Sequence, residues 1–258
     1  MSTEWDARAY ERVSGPQVSW GRTVIERIPL RGDETALDAG CGTGRVTRLL
    51  AERLPRGRVL AVDGSRAMVD EATERLADLA PRVSVRHGNL LELELDEPVD
   101  LIVSTATFHW ILDHDALFRR LFAALRPGGR LVAQCGGRGN IAATLDAAAG
   151  VGSREPYAAA LGGMPDGWLF AGPEETVARL EAAGFEDARA ELIEAPAALD
   201  AESADFLATV VLRHHLELLE PGLRAPYADE VTGLLRGPDG RVCLDYVRLN
   251  MEARRPAP

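Results

Sequence analysis

The chain has 258 residues, 40 of them acidic and 29 basic, for a net charge of −11. That length suits one large α/β domain, and a hydrophobic content of 46% excludes wholesale disorder. The acidic excess argues against general affinity for nucleic acid or an anionic membrane, because phosphate binding needs a positive face.

The first half alternates strand and helix patterns. Thr35–Ala39 is a short strand ending in a glycine cluster, and Arg45–Leu54 places Val46, Leu49, Leu50 and Leu54 on one helical face. Arg58–Val62 is a second strand. A helix follows, with Ser65 as its N-cap and Met68, Val69, Ala72, Leu76 and Leu79 as its apolar stripe. Arg82–Arg86 and Val99–Ser104 are the third and fourth strands. The next helix is capped near Asp113 to Asp115 and stopped by Pro127-Gly128-Gly129, and Arg130–Cys135 is strand five. Strands separated by such helices build right-handed βαβ units on a mostly parallel, doubly wound sheet. Beyond them, Glu174–Ala183 is a helix and Phe185–Glu194 a sixth strand. Ala201–Leu219 is predicted as one apolar helix, Tyr227–Leu235 as another and Arg241–Asn250 as the seventh strand. The expected architecture is a single domain over residues 1–258. Two helical lid insertions, about 137–172 and 197–238, pack over the carboxyl edge of its seven-stranded Rossmann-like sheet.

Every basic residue is an arginine. This excludes a lysine Schiff base, with its pyridoxal-phosphate and aldolase chemistry, and the lysine of a phosphate-binding P-loop. A composition rich in Ala, Arg, Gly and Leu suggests a GC-rich bacterial genome. Cys41, Cys135 and Cys243 lie far apart, without a CxxC pair or Cys/His cluster. Reduced thiols in a cytoplasmic protein are expected, with no metal site. The longest uncharged stretch, Leu101 to Leu112, is too short to span a bilayer, and MSTEWDARAYER is too polar for a secretory leader.

The segment Leu37-Asp38-Ala39-Gly40-Cys41-Gly42-Thr43-Gly44 joins the first strand to its helix. Glycines let the backbone turn sharply and approach a ligand closely. In the dinucleotide fingerprint G-x-G-x-x-G the third small residue would fall at position 45, which is Arg45. Asp38 would repel a pyrophosphate and welcome an ammonium group. Asp63 ends the second strand, where a carboxylate can accept hydrogen bonds from both ribose hydroxyls. A phosphate-free nucleoside joined to an amino acid describes S-adenosylmethionine.

LDAGCGTG, AVDGS, HGNLLEL, VDLIVSTATFHWI and LRPGGRLVAQ together resemble the class I S-adenosylmethionine-dependent methyltransferases over about residues 35–135. FHWI, with QVSW near the N-terminus, is similar to the trans-aconitate methyltransferase group, and more loosely to malonyl-carrier-protein and juvenile-hormone-acid methyltransferases. The resemblance implies that Gly40, Cys41 and Gly42 lie against the methionine portion, with Asp38 on its ammonium. Asp63 binds the ribose, and Gly64, Ser65 and Met68 flank ribose and adenine. Many relatives carry an Asp where this chain has Asn89, whose amide oxygen can accept from the adenine amino group without a charge. Leu90 covers the ring, Ser104 and Thr105 face the methionine, and Tyr10, Gln17 and Trp20 reach the ligands from the N-terminal segment.

Methyl transfer needs a nucleophile aligned with the methyl group. A carboxylate needs a cation to orient it, whereas a hydroxyl or carbon acid needs a base. His109, just after the fourth strand, is the candidate for either task, and Trp110 shapes the pocket wall. Arg213, His214 and Arg138 are candidate clamps for an anionic acceptor. Enzymes methylating nucleic-acid bases resemble one another in an Asn/Asp-Pro-Pro-aromatic motif after this strand. Ser104-Thr105-Ala106-Thr107 lacks it, so a small-molecule acceptor is expected, with no nucleic acid or membrane partner. The leading expectation is O-methylation of a carboxylate. Alternatives are methylation at a hydroxyl or carbon of a natural product, and a cofactor-binding cyclase or sensor that transfers no methyl. A nicotinamide-dependent oxidoreductase fits Asp38 and Arg45 poorly.

Overall fold

The computed structural model describes residues 15–164, 167–199 and 206–258. Helix α1 (Gly15–Arg27) precedes β1 (Thr35–Ala39), α2 (Arg45–Arg53), β2 (Arg58–Asp63), α3 (Arg66–Arg75) and β3 (Val83–His87). Then come β4 (Val99–Thr105), α4 (His114–Ala124), β5 (Leu125–Gly136), α5 (Ala142–Gly152), α6 (Ala158–Leu161) and α7 (Pro173–Ala182). The chain continues through β6 (Glu186–Glu194), β7 (Ala197–Leu199), a π turn at Leu207–Val211, α8 (Arg213–Leu218) and α9 (Pro221–Leu235). It closes with β8 (Val242–Leu244) and β9 (Val247–Arg254).

Seven strands form one sheet in the order β3-β2-β1-β4-β5-β9-β6. The first five in sequence pair in parallel, and β9 runs antiparallel between β5 and β6. Strand order reverses between β1 and β4, which opens a crevice at their carboxyl ends. Alternation along the strands sorts side chains between two cores. Leu37 and Ile102 point to the face covered by Leu117, Phe118 and Leu121 of α4. Ala36, Leu101 and Val103 point to the opposite face, under Val24, Ile25 and Leu50. The caps follow the sequence reading: Ser65 accepts the Met68 N–H, and Asp113 accepts the Ala116 N–H at 2.8 Å.

A third cluster joins Ile141, Val151 and Leu161 to Leu207, Val211, Tyr227 and Val231. The two segments predicted as insertions therefore pack on each other through a core of their own. Three expectations are corrected here. The predicted single helix 201–219 is a π turn followed by the short α8, so its Val210 and Val211 meet the crevice; residues 201–205 lie outside the described residues. Arg241–Asn250 is not one strand: Asp245-Tyr246 breaks it, β8 pairs with β7 in a separate two-stranded sheet, and β9 is the seventh strand. Helix α9 also begins at Pro221, earlier than predicted. Among the described residues no helix is long and apolar enough to cross a membrane.

Candidate functional site

Beyond β1 the chain must reverse within five residues to begin α2. Gly40 (φ 87°) and Gly42 (φ 53°) adopt left-handed conformations there. A Cβ on Gly40 would lie 2.1 Å from Thr107 Oγ1, whereas one on Gly42 would meet no atom within 4 Å. The open space is a cavity of about 600 Å³ at the carboxyl ends of β1, β2 and β4, lined here by Gly40, Cys41 and Gly42. Burial, together with the Asp38 and Asp63 charges, raises the Cys41 thiol well above its usual pKa and disfavours the thiolate.

Asp63 closes β2 with both carboxylate oxygens on backbone amides, Gly42 N–H at 2.8 Å and Ser65 N–H at 2.9 Å. Burial raises its pKa, against the pull of those amides. Gly64, Ser65 and Met68 line the same end of the cavity, as do Asn89 and Leu90. Asn89 already has one job: its side-chain oxygen accepts the Leu91 N–H at 3.0 Å, capping a 3₁₀ turn over Leu90–Glu92. A second lone pair on that oxygen leaves room for a further donor. Asp63 is the sole acid among the described lining residues. With the open face at Gly42, this suits a ribose and adenine better than a pyrophosphate. Behind the loop, Asp38 Oδ2 accepts the Thr47 hydroxyl at 2.6 Å, while its buried Oδ1 has no hydrogen-bond partner. The residues present therefore fit a phosphate-free adenosyl amino acid.

Several expected contacts lie elsewhere. Asp38 does not line the cavity, because strand alternation turns its side chain under α2. Ser104 is also buried away from it and donates to the Ala39 carbonyl at 2.6 Å, whereas Thr105 lines the wall. Arg138 turns outward to Glu175 at 3.0 Å, and Arg213 is held by Glu217 at 2.8 Å one turn on. Neither is an anion clamp in the cavity. Trp20 stands one layer behind the wall, edge-on to Tyr246 with ring centroids 4.8 Å apart. Tyr10 and the side chain of Gln17 lie outside the described residues.

His109 and Trp110 line the other end of the cavity, on a 3₁₀ turn that follows β4. His109 Nδ1 accepts the Gly136 N–H at 3.3 Å. Burial, then the Arg248 and His114 charges, lowers its pKa far below the usual histidine value. Both influences favour the neutral ring, and a neutral ring that accepts at Nδ1 bears its proton on Nε2. Of the two tasks expected for His109, this arrangement suits donation to an anionic acceptor. His214 lines the wall between Trp110 and Trp168, edge-on to both at 5.9 Å.

The sequence reading missed Arg248, Asn140, Trp168, Phe170 and Tyr246, all of which line the cavity. Arg248, the second residue of β9, lies opposite Gly136, is only 3% exposed, and stacks its guanidinium 4.6 Å from the Trp20 ring centre. One signal was available: in the alternation of β9, Leu249, Met251 and Ala253 belong to the core on one face, which leaves Arg248 and Asn250 together on the other.

A family model described as a methyltransferase domain matches residues 36–129. Over 98% of its length the chain is 30% identical to a Methylobacterium radiotolerans protein named trans-aconitate 2-methyltransferase, of which it covers 98%. A protein of the same name from Azoarcus sp. is 37% identical over 50% of either chain. Haemonchus contortus phosphoethanolamine N-methyltransferase 2, solved with phosphomonomethylethanolamine and S-adenosylhomocysteine, shares the fold. Its TM-score is 0.63 at 19% identity, over 97% of this chain and 57% of that one.

Proposed function

Since the chain belongs to the class I S-adenosylmethionine-dependent methyltransferases, in the trans-aconitate methyltransferase group, we propose that it methylates a carboxylate oxygen of a small molecule. When bound, S-adenosylmethionine supplies an electrophilic methyl group on a sulfonium. Asp63, Gly40, Gly42, Ser65, Met68, Asn89 and Leu90 hold the cofactor at the β2 and β3 end. The acceptor occupies the end built by β4, β5 and β9. A single observation carries the carboxylate reading: away from Asp63, the cavity wall holds the buried Arg248 together with His109, whose Nδ1 is already engaged by the Gly136 amide. A hydroxyl acceptor would need a base there, and His109 Nδ1 is already engaged. A carboxylate is ionised at neutral pH and needs only to be oriented.

Arg248 and His109 Nε2–H would bind one carboxylate oxygen and leave the other facing the methyl group. Alignment of this kind contributes about 7–11 kcal/mol in well-oriented systems. The Trp110, Trp168 and Phe170 side chains exclude water around the reacting charges. The segments about 137–172 and 197–238, packed as one layer over the crevice, would serve as the lid.

The product should be a methyl ester, released as methanol by mild alkali, formed in step with S-adenosylhomocysteine. His109→Ala is expected to lower turnover at least tenfold while cofactor affinity, measured by calorimetric titration, stays within about twofold. Unchanged turnover would reduce His109 to packing, and an alkali-stable product would remove the carboxylate.

A further inference from the structure

The acceptor end has a second feature besides its cation. Trp168 and Phe170 stack with ring centroids 6.0 Å apart and planes 8° from parallel. Phe170 stacks on His109 at 5.8 Å, and Trp110 tilts against Trp168 at 5.5 Å. These rings come from two separate stretches of chain. They are pinned together where Leu169 N–H donates to the His109 carbonyl at 2.9 Å. Gly167 lets the second stretch approach α8, since a Cβ there would sit 2.9 Å from the His214 ring. All four rings line the cavity, as does His214.

Permanent positive charge is scarce by comparison among the described lining residues. Among the described lining residues the arginines are Arg45, beside the glycine loop at the cofactor end, and Arg248. Among the described lining residues the acceptor end thus offers one guanidinium and a wall of flat rings. A tricarboxylate would bring two further anions against those rings, where desolvation opposes them. A flat, unsaturated body would stack there at little entropic cost.

We propose that the acceptor is a planar monocarboxylate, an aryl- or polyene-conjugated acid, with its carboxylate on Arg248 and its body against Trp168 and Phe170. The proposal rests on the carboxylate reading of the same site and specifies the rest of the molecule.

The test measures S-adenosylhomocysteine release at saturating S-adenosylmethionine with trans-cinnamate, hexanoate, trans-aconitate and cinnamyl alcohol. The expected kcat/KM for trans-cinnamate exceeds those for hexanoate and trans-aconitate by at least tenfold. Trp168→Ala should raise the KM for trans-cinnamate at least tenfold, with S-adenosylhomocysteine affinity unchanged, and Trp168→Phe should restore it. Equal or better turnover of trans-aconitate or hexanoate overturns the planar monocarboxylate and leaves the carboxylate reading intact. So does a KM for trans-cinnamate that Trp168→Ala leaves alone. Turnover of cinnamyl alcohol without trans-cinnamate overturns the carboxylate reading itself. A protein that binds S-adenosylhomocysteine and turns over none of the three acids overturns the proposal.

Discussion

Asp63 organises the cofactor end because its two oxygens hold two turns at once, the glycine loop through Gly42 and the start of α3 through Ser65. Charge-assisted bonds of this kind are worth about 1.5–3 kcal/mol each. Asp63→Ala should weaken S-adenosylhomocysteine binding at least tenfold, read by calorimetric titration; an unchanged affinity would remove its ribose role. The position of Asp63 was legible because its strand and the loop it braces are neighbours in the chain. Arg248 was illegible for the converse reason. Its chemistry depends on an antiparallel strand setting residue 248 beside residue 136. The Ser104 and Thr105 pair marks the finest limit: adjacent residues at a strand end face opposite ways, and only Thr105 reaches the cavity.

At the level of elements, the turn between β1 and α2 makes two glycines unequal. Gly40→Ala would combine left-handed strain with a collision against Thr107, about 2–5 kcal/mol in all. Gly42→Ala meets open space, so only the strain of about 1–2 kcal/mol applies, but its methyl group enters the cavity. Thermal denaturation should show Gly40→Ala as much the less stable, while titration shows Gly42→Ala binding cofactor more weakly than its stability would suggest. Equal destabilisation would disprove the packing argument. The π turn at Leu207–Val211 carries a similar lesson. Apolar content announced a helix, but the helix changes its hydrogen-bond pattern where Val210 and Val211 reach the crevice.

Across the whole molecule, buried ionisable groups set the response to acid. Burial raises the Asp38 carboxyl to about 6, so the folded chain keeps a proton that the unfolded chain releases near 3.8. Stability from this group therefore falls as pH rises between those values. Burial lowers His215 to about 4, and His109 falls in the same direction. Their stability is complete above about 6.5 and is lost as pH drops toward 4. The Asp38 and His215 shifts each correspond to about 3 kcal/mol, so the opposing slopes partly cancel between pH 4 and 6. Asp38→Asn keeps an acceptor for Thr47 and removes one slope. Urea unfolding should find this variant more stable at pH 7, by up to about 3 kcal/mol, and losing stability more steeply toward pH 4.5. A pH dependence identical to that of the parent chain would show that Asp38 ionises freely.

Local pattern alone determined the five parallel strands, their helices, the caps at Ser65 and Asp113, the glycine loop and the acid that braces it. Each of these depends on residues within about one strand–helix unit, where periodicity and turn chemistry act directly. The tertiary structure decided the acceptor end. It joined residues 109, 140, 168, 214 and 248 into one wall, set the Trp20 ring behind Arg248, turned Arg138 outward to Glu175, and aimed the Gly136 amide at the His109 ring. That wall draws on residues more than a hundred positions apart in the chain, and no spacing along a sequence encodes which distant surfaces a folded sheet will bring face to face.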